Sequence, residues 1–310
     1  MHTVNYVGVD LSKHELVVDL AAGAKPRVFP NSPKGCAALL KALPADAHVV
    51  CESTGGYQSG LVHAMHAAGV PVSVVMPVRV RAFAQARGLR AKTDPIDARL
   101  LTAFAEAMHP RALAPASPQQ EELQQLMRAR QVLIALQNDQ ASHAEHCTLP
   151  FLQSQQKARE ELVRRQIRAI ERRVRELLAA DAKSKWRSER LQEVCGVGEI
   201  SAWTVLAELP ELGTLEPGQP AGLLGVAPDP DDSGPRHGPR RVGGGRGAAR
   251  KVLYMAALTA SQRNAVLAPF YRRLVEQHHK PKLVALVAVM RKLIELLNRI
   301  LADPNFKLAS

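Results

Sequence analysis

The order of short apolar runs in the first third of the chain constrains its fold more than any other feature. Val4 to Asp10 (VNYVGVD), Glu15 to Leu20 (ELVVDL) and a run around Arg27 to Phe29 follow one another across polar turns, as in an antiparallel meander. Asn31-Ser32-Pro33 then opens a helix expected over Gly35–Leu43. His48 to Glu52 (HVVCE) reads as a buried strand, Gly55-Gly56 breaks it, Tyr57–Ala68 has helical spacing, and Val70 to Met76 (VPVSVVM) is strand-like again. The resulting order is three strands, helix, strand, helix, strand, helix.

That order suits an RNase H-like α/β domain, in which Asp10 closes the first strand and Glu52 the fourth. If those strands are neighbours, their terminal carboxylates approach each other and can share hard cations through oxygen ligands. Two more acids follow in Ala91-Lys92-Thr93-Asp94-Pro95-Ile96-Asp97, three residues apart and therefore on one helix face. Capping alone accounts for this local pattern, with Asp94 as N-cap, Pro95 at the first helical position and Asp97 in the first turn. A single acid at a strand end is ordinarily a turn former. Four acids that one topology gathers point instead to a site for one or two Mg²⁺ ions.

The net charge of +12 and pI near 9.9 imply a polyanionic partner. The excess is spread along the chain, with 11 basic against 8 acidic residues over 1–108, 15 against 10 over 109–190 and 15 against 11 over 191–310. Ser53 to Thr93 contains no acid, and Arg79, Arg81, Arg87, Arg90 and Lys92 cluster toward its end. A one-sign run of this kind is commonly a solvated face. Leading into a carboxylate cluster, it can also draw a phosphate backbone onto metal, and nucleic-acid contact is the favoured reading. The four cysteines are dispersed and form no CxxC pair, which argues against a disulfide framework and structural zinc. His143, His146 and Cys147 read as polar residues on a helix surface. No apolar run approaches the roughly 20 residues that span a bilayer, and polar residues interrupt the N-terminus at once, so a cytoplasmic protein without membrane contact is expected.

Pro110 to Pro118 is a linker by composition, and three parts are expected: 1–108, 109–190 and 191–310. Glu121–Cys147 and Gln155–Ala180 read as two long helices that bend at Leu149-Pro150-Phe151. The apolar seam Leu162, Val163, Ile167, Ile170, Val174, Leu177, Leu178 suits a helical hairpin or coiled coil holding protomers together. Leu191 to Leu209 is helix, Gly196-Val197-Gly198 turn, helix. It fits a helix-hairpin-helix that binds phosphate at Gly196 and Gly198, and equally an ordinary αα-hairpin. Beyond lies a Gly-rich loop carrying Ser233, Arg236, Arg240, Arg241 and Arg246, followed by apolar helices over Arg250–Ala260 and Leu283–Leu301; Lys251 adds to the basic set. Between Ser233 and Val275 there are nine Lys or Arg and no acid. Such a loop can wrap a backbone; Ser233 at its entry is a turn residue or a nucleophile.

The motifs GVDLSKHELVV, ESTGGY, VVMPVRVRAFAQARGLRAKTDPIDARLL, GVGEISAWTVLAELPELG, the AP…DSG turn, and GGGRGAARKVLYMAAL followed by KPKLVALVAVMRKLIELLN resemble, end to end, the DEDD transposases of the insertion-sequence one-hundred-ten (IS110) family. The resemblance implies a RuvC-like N-terminal domain whose Asp10, Glu52, Asp94 and Asp97 bind Mg²⁺, a central helical coiled coil, and a mainly helical C-terminal transposase domain whose Ser233 attacks DNA. It further implies a homo-oligomer, dimer to tetramer, in which the serine of one protomer completes the acid site of another. Sequence choice would come from a structured bridge RNA that pairs with donor and target DNA. The chain departs from the family pattern at Pro230-Asp231, where an Asn-Arg pair is usual, and at Met76, where Asn is commoner. Two other readings compete. A RuvC-type nuclease would cut DNA junctions with metal-activated water and leave Ser233 a turn residue. A nucleic-acid-binding protein would keep the acids only as caps.

Overall fold

The computed structural model describes residues 4–308 except 22–23, 54, 89–93, 145–147, 229–231, 234–235 and 238–241, and describes the backbone alone at 94–96, 143–144, 232–233 and 236–237. The chain forms two compact units, Met1–Pro115 and Ala116–Ser310. Their boundary falls within the Pro-rich linker.

In the first unit the elements are β1 (Asn5–Leu11), β2 (Glu15–Asp19), β3 (Arg27–Pro30), α1 (Pro33–Ala42), β4 (Ala47–Glu52), α2 (Ser59–Ala67), β5 (Val72–Val75), α3 (Pro77–Ala86) and α4 (Asp94–Met108). The strands form one sheet in the order β3-β2-β1-β4-β5. The short polar connections after β1 and β2 allow only antiparallel pairing, whereas the helical crossovers α1 and α2 return β4 and β5 parallel to β1. This mixed sheet with its helices is consistent with an RNase H-like domain. The helix starts follow local chemistry: Ser32 caps α1 by accepting a hydrogen bond from the Gly35 amide at 3.2 Å, with Pro33 at its first position.

β1 is central and therefore buried on both faces. Val7, Val9 and Leu11 pack with Cys36, Leu39, Leu61 and Met65 of α1 and α2. On the opposite face Val50 and Val75 pack with Val80 of α3 and Leu100, Leu101 and Phe104 of α4. Gly8 explains how closely α4 lies on this face. A Cβ there would stand 2.2 Å from the Ala98 carbonyl oxygen and 2.6 Å from the Thr102 nitrogen. Its amide instead donates to Thr102 Oγ1 at 3.0 Å.

The second unit contains α5 (Pro118–Ala144), α6 (Pro150–Ala179), α7 (Ala182–Gln192), α8 (Glu199–Glu208), α9 (Gln219–Leu224), β6 (Asp232–Ser233), β7 (Arg236–His237), α10 (Gly247–Arg263), α11 (Leu267–Arg272), a π-helical turn (Arg273–Gln277) and α12 (Lys282–Ala302). Its core is built on α8, where Ala202 to Ala207 are all buried, and on the inward faces of α10 and α12. The bases of α5 and α6 join this core through Leu123, Met127, Val174, Leu177 and Leu178. Farther along the pair Val163 and Ile167 stay buried, and Arg130 donates to Glu171 at 2.8 Å. Among the described residues no helix is long and apolar enough to cross a membrane.

Candidate active site

Parallel pairing of β1 with β4 sets Val9 opposite Cys51, so Asp10 and Glu52, one residue on, stand side by side on the same face. It is the face of α4, because Val50, two residues before Glu52, packs against that helix. Along β1 the contacts run backwards through α4. The Tyr6 hydroxyl meets His109 Nδ1 at 3.4 Å, just past the helix end, and Gly8 rests on Ala98 and Thr102. The helix is thus antiparallel to β1, and its first turn, with Asp94 and Asp97, lies toward the Asp10 end of the strand. Asp10, Glu52 and Asp97 are half-buried; the Asp94 side chain lies outside the described residues.

Among the described residues no three His, Cys, Asp or Glu side chains are grouped closely enough to hold an ion. The donor chemistry nevertheless suits one class of cation. The acids offer only carboxylate oxygens, the ligands of Mg²⁺, Mn²⁺ or Ca²⁺. The neighbouring thiol is turned away. Cys51 faces the opposite side of the sheet in the α1–α2 core, and burial, with a smaller push from the Glu52 charge, raises its pKa to about 12. Its place in the opposite-face core keeps it out of the acid cluster.

Two side chains that hold this end of the sheet carried no signal as site residues. The Asn31 side-chain amide donates to the Ser12 carbonyl at 2.8 Å and the Tyr57 carbonyl at 3.2 Å, joining the turn that follows Asp10 to the loop that follows Glu52. Thr102 fixes α4 to β1 at Gly8. A strand acid followed by a turn, with an Asn ahead of a helix, is too common a local pattern to announce such a clamp.

Of the expected basic contacts, Arg79, Arg81 and Arg87 are exposed on or just after α3. Arg79 lies 5.9 Å from the Phe104 ring centroid and Arg87 lies 5.6 Å from that of Phe83, contacts that hold their stems against the domain. Arg90, Lys92, Arg240 and Arg241 lie outside the described residues.

In the second unit Ser233 pairs with Arg236 across a two-residue connection between β6 and β7; the side chains of both lie outside the described residues. Lys251 is exposed. Arg246 and Arg250 spend donors within the unit. Arg246 is paired with Glu211 at 2.9 Å and also donates to the Glu208 carbonyl, while Arg250 donates to the carbonyls of Gly244 and Leu224. These bonds hold the Gly-rich segment against the turn after α9, where a Cβ on Gly225 would stand 2.3 Å from the Gly244 oxygen. Gly196, at φ 103°, is likewise a contact position: a Cβ would lie 2.5 Å from the Ala256 carbonyl oxygen of α10. Gly198 caps α8 with open space around it. The first residue of α8 is Glu199, whose carboxylate takes a bidentate bond from Arg175 at 2.8 Å, which holds its pKa below the usual carboxylate range. The positive end of the α8 dipole therefore already faces an anion of the chain's own.

Comparison with known proteins gives a consistent picture. A family model described as a transposase, of the DEDD type, matches residues 7–150, and a second, described as the transposase IS116/IS110/IS902 family, matches residues 188–272. The chain is 25% identical over 251 residues to the pilin gene-inverting protein of Moraxella lacunata, covering 80% of this chain and 77% of that one. It is 24% identical over 301 residues to the pilin gene-inverting protein of Moraxella bovis, covering 93% of each.

Proposed function

We propose a function from one premise: the chain belongs to the IS116/IS110/IS902 family of transposases. It is the DNA recombinase of an insertion sequence, which cuts and rejoins DNA through a serine nucleophile and a carboxylate site. The observation that carries this reading is the likeness, over nearly the whole chain, to proteins named for inverting a gene. Inversion requires every cut strand to be rejoined in a new order, and a hydrolytic nuclease leaves ends that it cannot reseal. That favours the recombinase over the junction nuclease.

In this reading the Ser233 hydroxyl oxygen attacks a backbone phosphorus. A P–O bond to Oγ forms as the P–O bond to the leaving deoxyribose oxygen breaks, and that oxygen departs with a proton. The phosphoserine diester conserves the bond energy, so the hydroxyl of another strand can reverse the step, reseal the DNA and free the serine. Asp10, Glu52, Asp94 and Asp97 would hold Mg²⁺, which when bound supplies Lewis-acid neutralisation of the phosphate charge. Arg79, Arg81 and Arg87, together with Arg90 and Lys92, would steer the polyanion toward the acids from the acid-free run Ser53–Thr93. Lys251, Arg236, Arg240 and Arg241 would grip the backbone near the serine. Choice of sequence falls to a bridge RNA, and the working assembly is a homo-oligomer in which one protomer's Ser233 serves another's acids.

The test is a denaturing-gel search for a covalent protein–DNA adduct, using purified protein, Mg²⁺, RNA from the element's flanks and element-end DNA. An adduct in wild type that disappears in both Ser233→Ala and Asp94→Ala is expected. Cleavage without an adduct, unchanged by Ser233→Ala, would overturn the serine mechanism and leave a metal-dependent nuclease.

A further inference from the structure

The second unit holds both paired and unpaired cations among its described residues. Arg130, Arg173, Arg175, Arg190 and Arg246 each have a carboxylate partner, in Glu171, Glu122, Glu199, Glu193 and Glu211. From α11 through α12 the exposed cations are Arg272, Arg273, Lys280, Lys282, Arg291, Lys292 and Arg299, and none of them is in an ion pair among the described residues. Between Arg272 and Arg299 the sequence has only two acids, Glu276 and Glu295.

Three of these cations, Arg273, Arg291 and Lys292, gather about Phe270. Lys292 Nζ stands 4.3 Å from the centroid of half-buried Phe270, and Arg273 Cζ stands 5.7 Å from it. Ala288, Arg291, Lys292 and Glu295 share one face of α12 at helical spacing and, with Phe270, line a cleft of about 330 Å³. The small Ala288 leaves the cleft open. Glu295, its one acid, accepts a hydrogen bond from the Gly218 amide at 3.2 Å. Arg273 begins the π-helical turn, a backbone irregularity that is frequent at functional sites.

Gathering like charges without partners is unfavourable unless an anion arrives to relieve it. The cation–π contacts hold the heads in place before that happens. We propose that the Phe270 cleft is a phosphodiester-binding site, with Arg273, Arg291 and Lys292 as its phosphate contacts. The ring packs against the core of the unit and carries cations of its own, so it anchors the basic heads and offers no stacking platform for a base. The ligand is thus a nucleic-acid backbone, read without regard to sequence. The inference rests on the reading of the chain as a nucleic-acid enzyme, and it adds contact residues beyond those of the acid-free run before α4 and of the Gly-rich loop.

The test measures binding of the full chain to a fluorescent DNA duplex and, separately, to an RNA hairpin, from about 50 to about 200 mM salt. Wild type is compared with the triple variant Arg273→Gln, Arg291→Gln, Lys292→Gln, with the α12 double variant Arg291→Gln, Lys292→Gln, and with Lys292→Arg. Each lost phosphate contact lowers the slope of log K against log salt by about 0.9 on duplex DNA, so the triple variant should lose about 2.7 units of slope and the double about 1.8. Lys292→Arg should keep the wild-type slope. A loss confined to DNA or to RNA identifies which backbone sits in the cleft, and a loss on both assigns it to either. Variants that melt like wild type and bind both nucleic acids with unchanged slope overturn the site while leaving the recombinase reading intact. A wild type that binds neither overturns both.

Discussion

The two ends of the α4 face of the sheet, less than the length of β1 apart, handle polar side chains in opposite ways. At the Tyr6 end polar groups close on one another. His48 Nε2 and Ser73 Oγ are 2.8 Å apart, Ser73 Oγ also approaches the carbonyls of Pro110 and Arg111 at 3.2 and 2.8 Å, and the Tyr6 ring stacks obliquely near both His48 and His109. At the other end the same strands present Asp10 and Glu52, and α4 adds Asp94 and Asp97. One end closes donors on acceptors. The other brings acids from two strands and one helix toward the same edge of the sheet, the arrangement that the proposed carboxylate site requires.

Removing a carboxylate breaks this comparison most sharply. Asp10→Ala should abolish adduct formation, a loss of about 10³-fold or more, corresponding to the several kcal/mol that a metal site supplies. It should leave the melting temperature in metal-free buffer close to the wild-type value, because a half-buried carboxylate at a strand end adds little to the core. A fall in melting temperature comparable with that of a core substitution would assign Asp10 a structural part instead.

The second largest effect is expected at Gly8, which sits between the two ends. Gly8→Ala forces a Cβ to within 2.2 Å of the Ala98 oxygen, a backbone atom that can yield only if α4 moves. Overpacking of this kind costs about 1–3 kcal/mol. Because α4 carries Asp94 and Asp97, the variant should lose activity even at temperatures where it remains folded. Thermal melts and adduct yield measured together test this; a destabilised variant with full adduct yield would uncouple the helix position from the acids.

The Tyr6 end makes a prediction about pH. Burial holds the His48 pKa below its ordinary value near 6.5, so the unfolded chain takes up a proton more readily than the folded one. The stability tied to neutral His48 is complete above about pH 6.5 and drains away as pH falls toward the lower folded-state value, with a slope of at most about 1.4 kcal/mol per pH unit. Urea melts of His48→Gln should show a flatter acid limb than wild type. Parallel limbs would mean that His48 charges without penalty.

Much of this layout is legible in the sequence because its signals are local. Period-two runs locate β1, β2, β4 and β5, prolines mark the starts of α1, α3, α5 and α6, and acids stand at the ends of strands that the crossover helices make neighbours. What is not legible depends on partners far along the chain. Gly8 looks like an ordinary strand residue until α4 is laid on it. Gly196 reads equally as part of a phosphate turn or of an αα-hairpin, and neither reading shows that its missing side chain lets α10 approach. Arg246 reads as a nucleic-acid contact, yet it meets Glu211. Phe270 and Lys292 come together only because α11 folds back on α12. No window of neighbouring residues contains these pairings.

The smallest effect is expected at Asn31, and it bears most directly on how the acid end is held. Its side-chain amide donates to two carbonyls, one in the loop after each strand acid. Asn31→Ala removes both bonds, but the Ser12 and Tyr57 segments are exposed enough for water to replace the lost donor, so stability should fall by only about 1 kcal/mol. Activity should fall further than stability, by about 10-fold, because the loops that set the spacing of Asp10 and Glu52 are freed from each other. Raising Mg²⁺ should recover part of that loss in Asn31→Ala and none of it in Asp10→Ala, since a loosened site still has its ligands and a truncated one does not. Equal fractional losses of activity and folded protein, with no response to Mg²⁺, would reduce Asn31 to a helix-start residue and leave the acids positioned by the sheet and α4 alone.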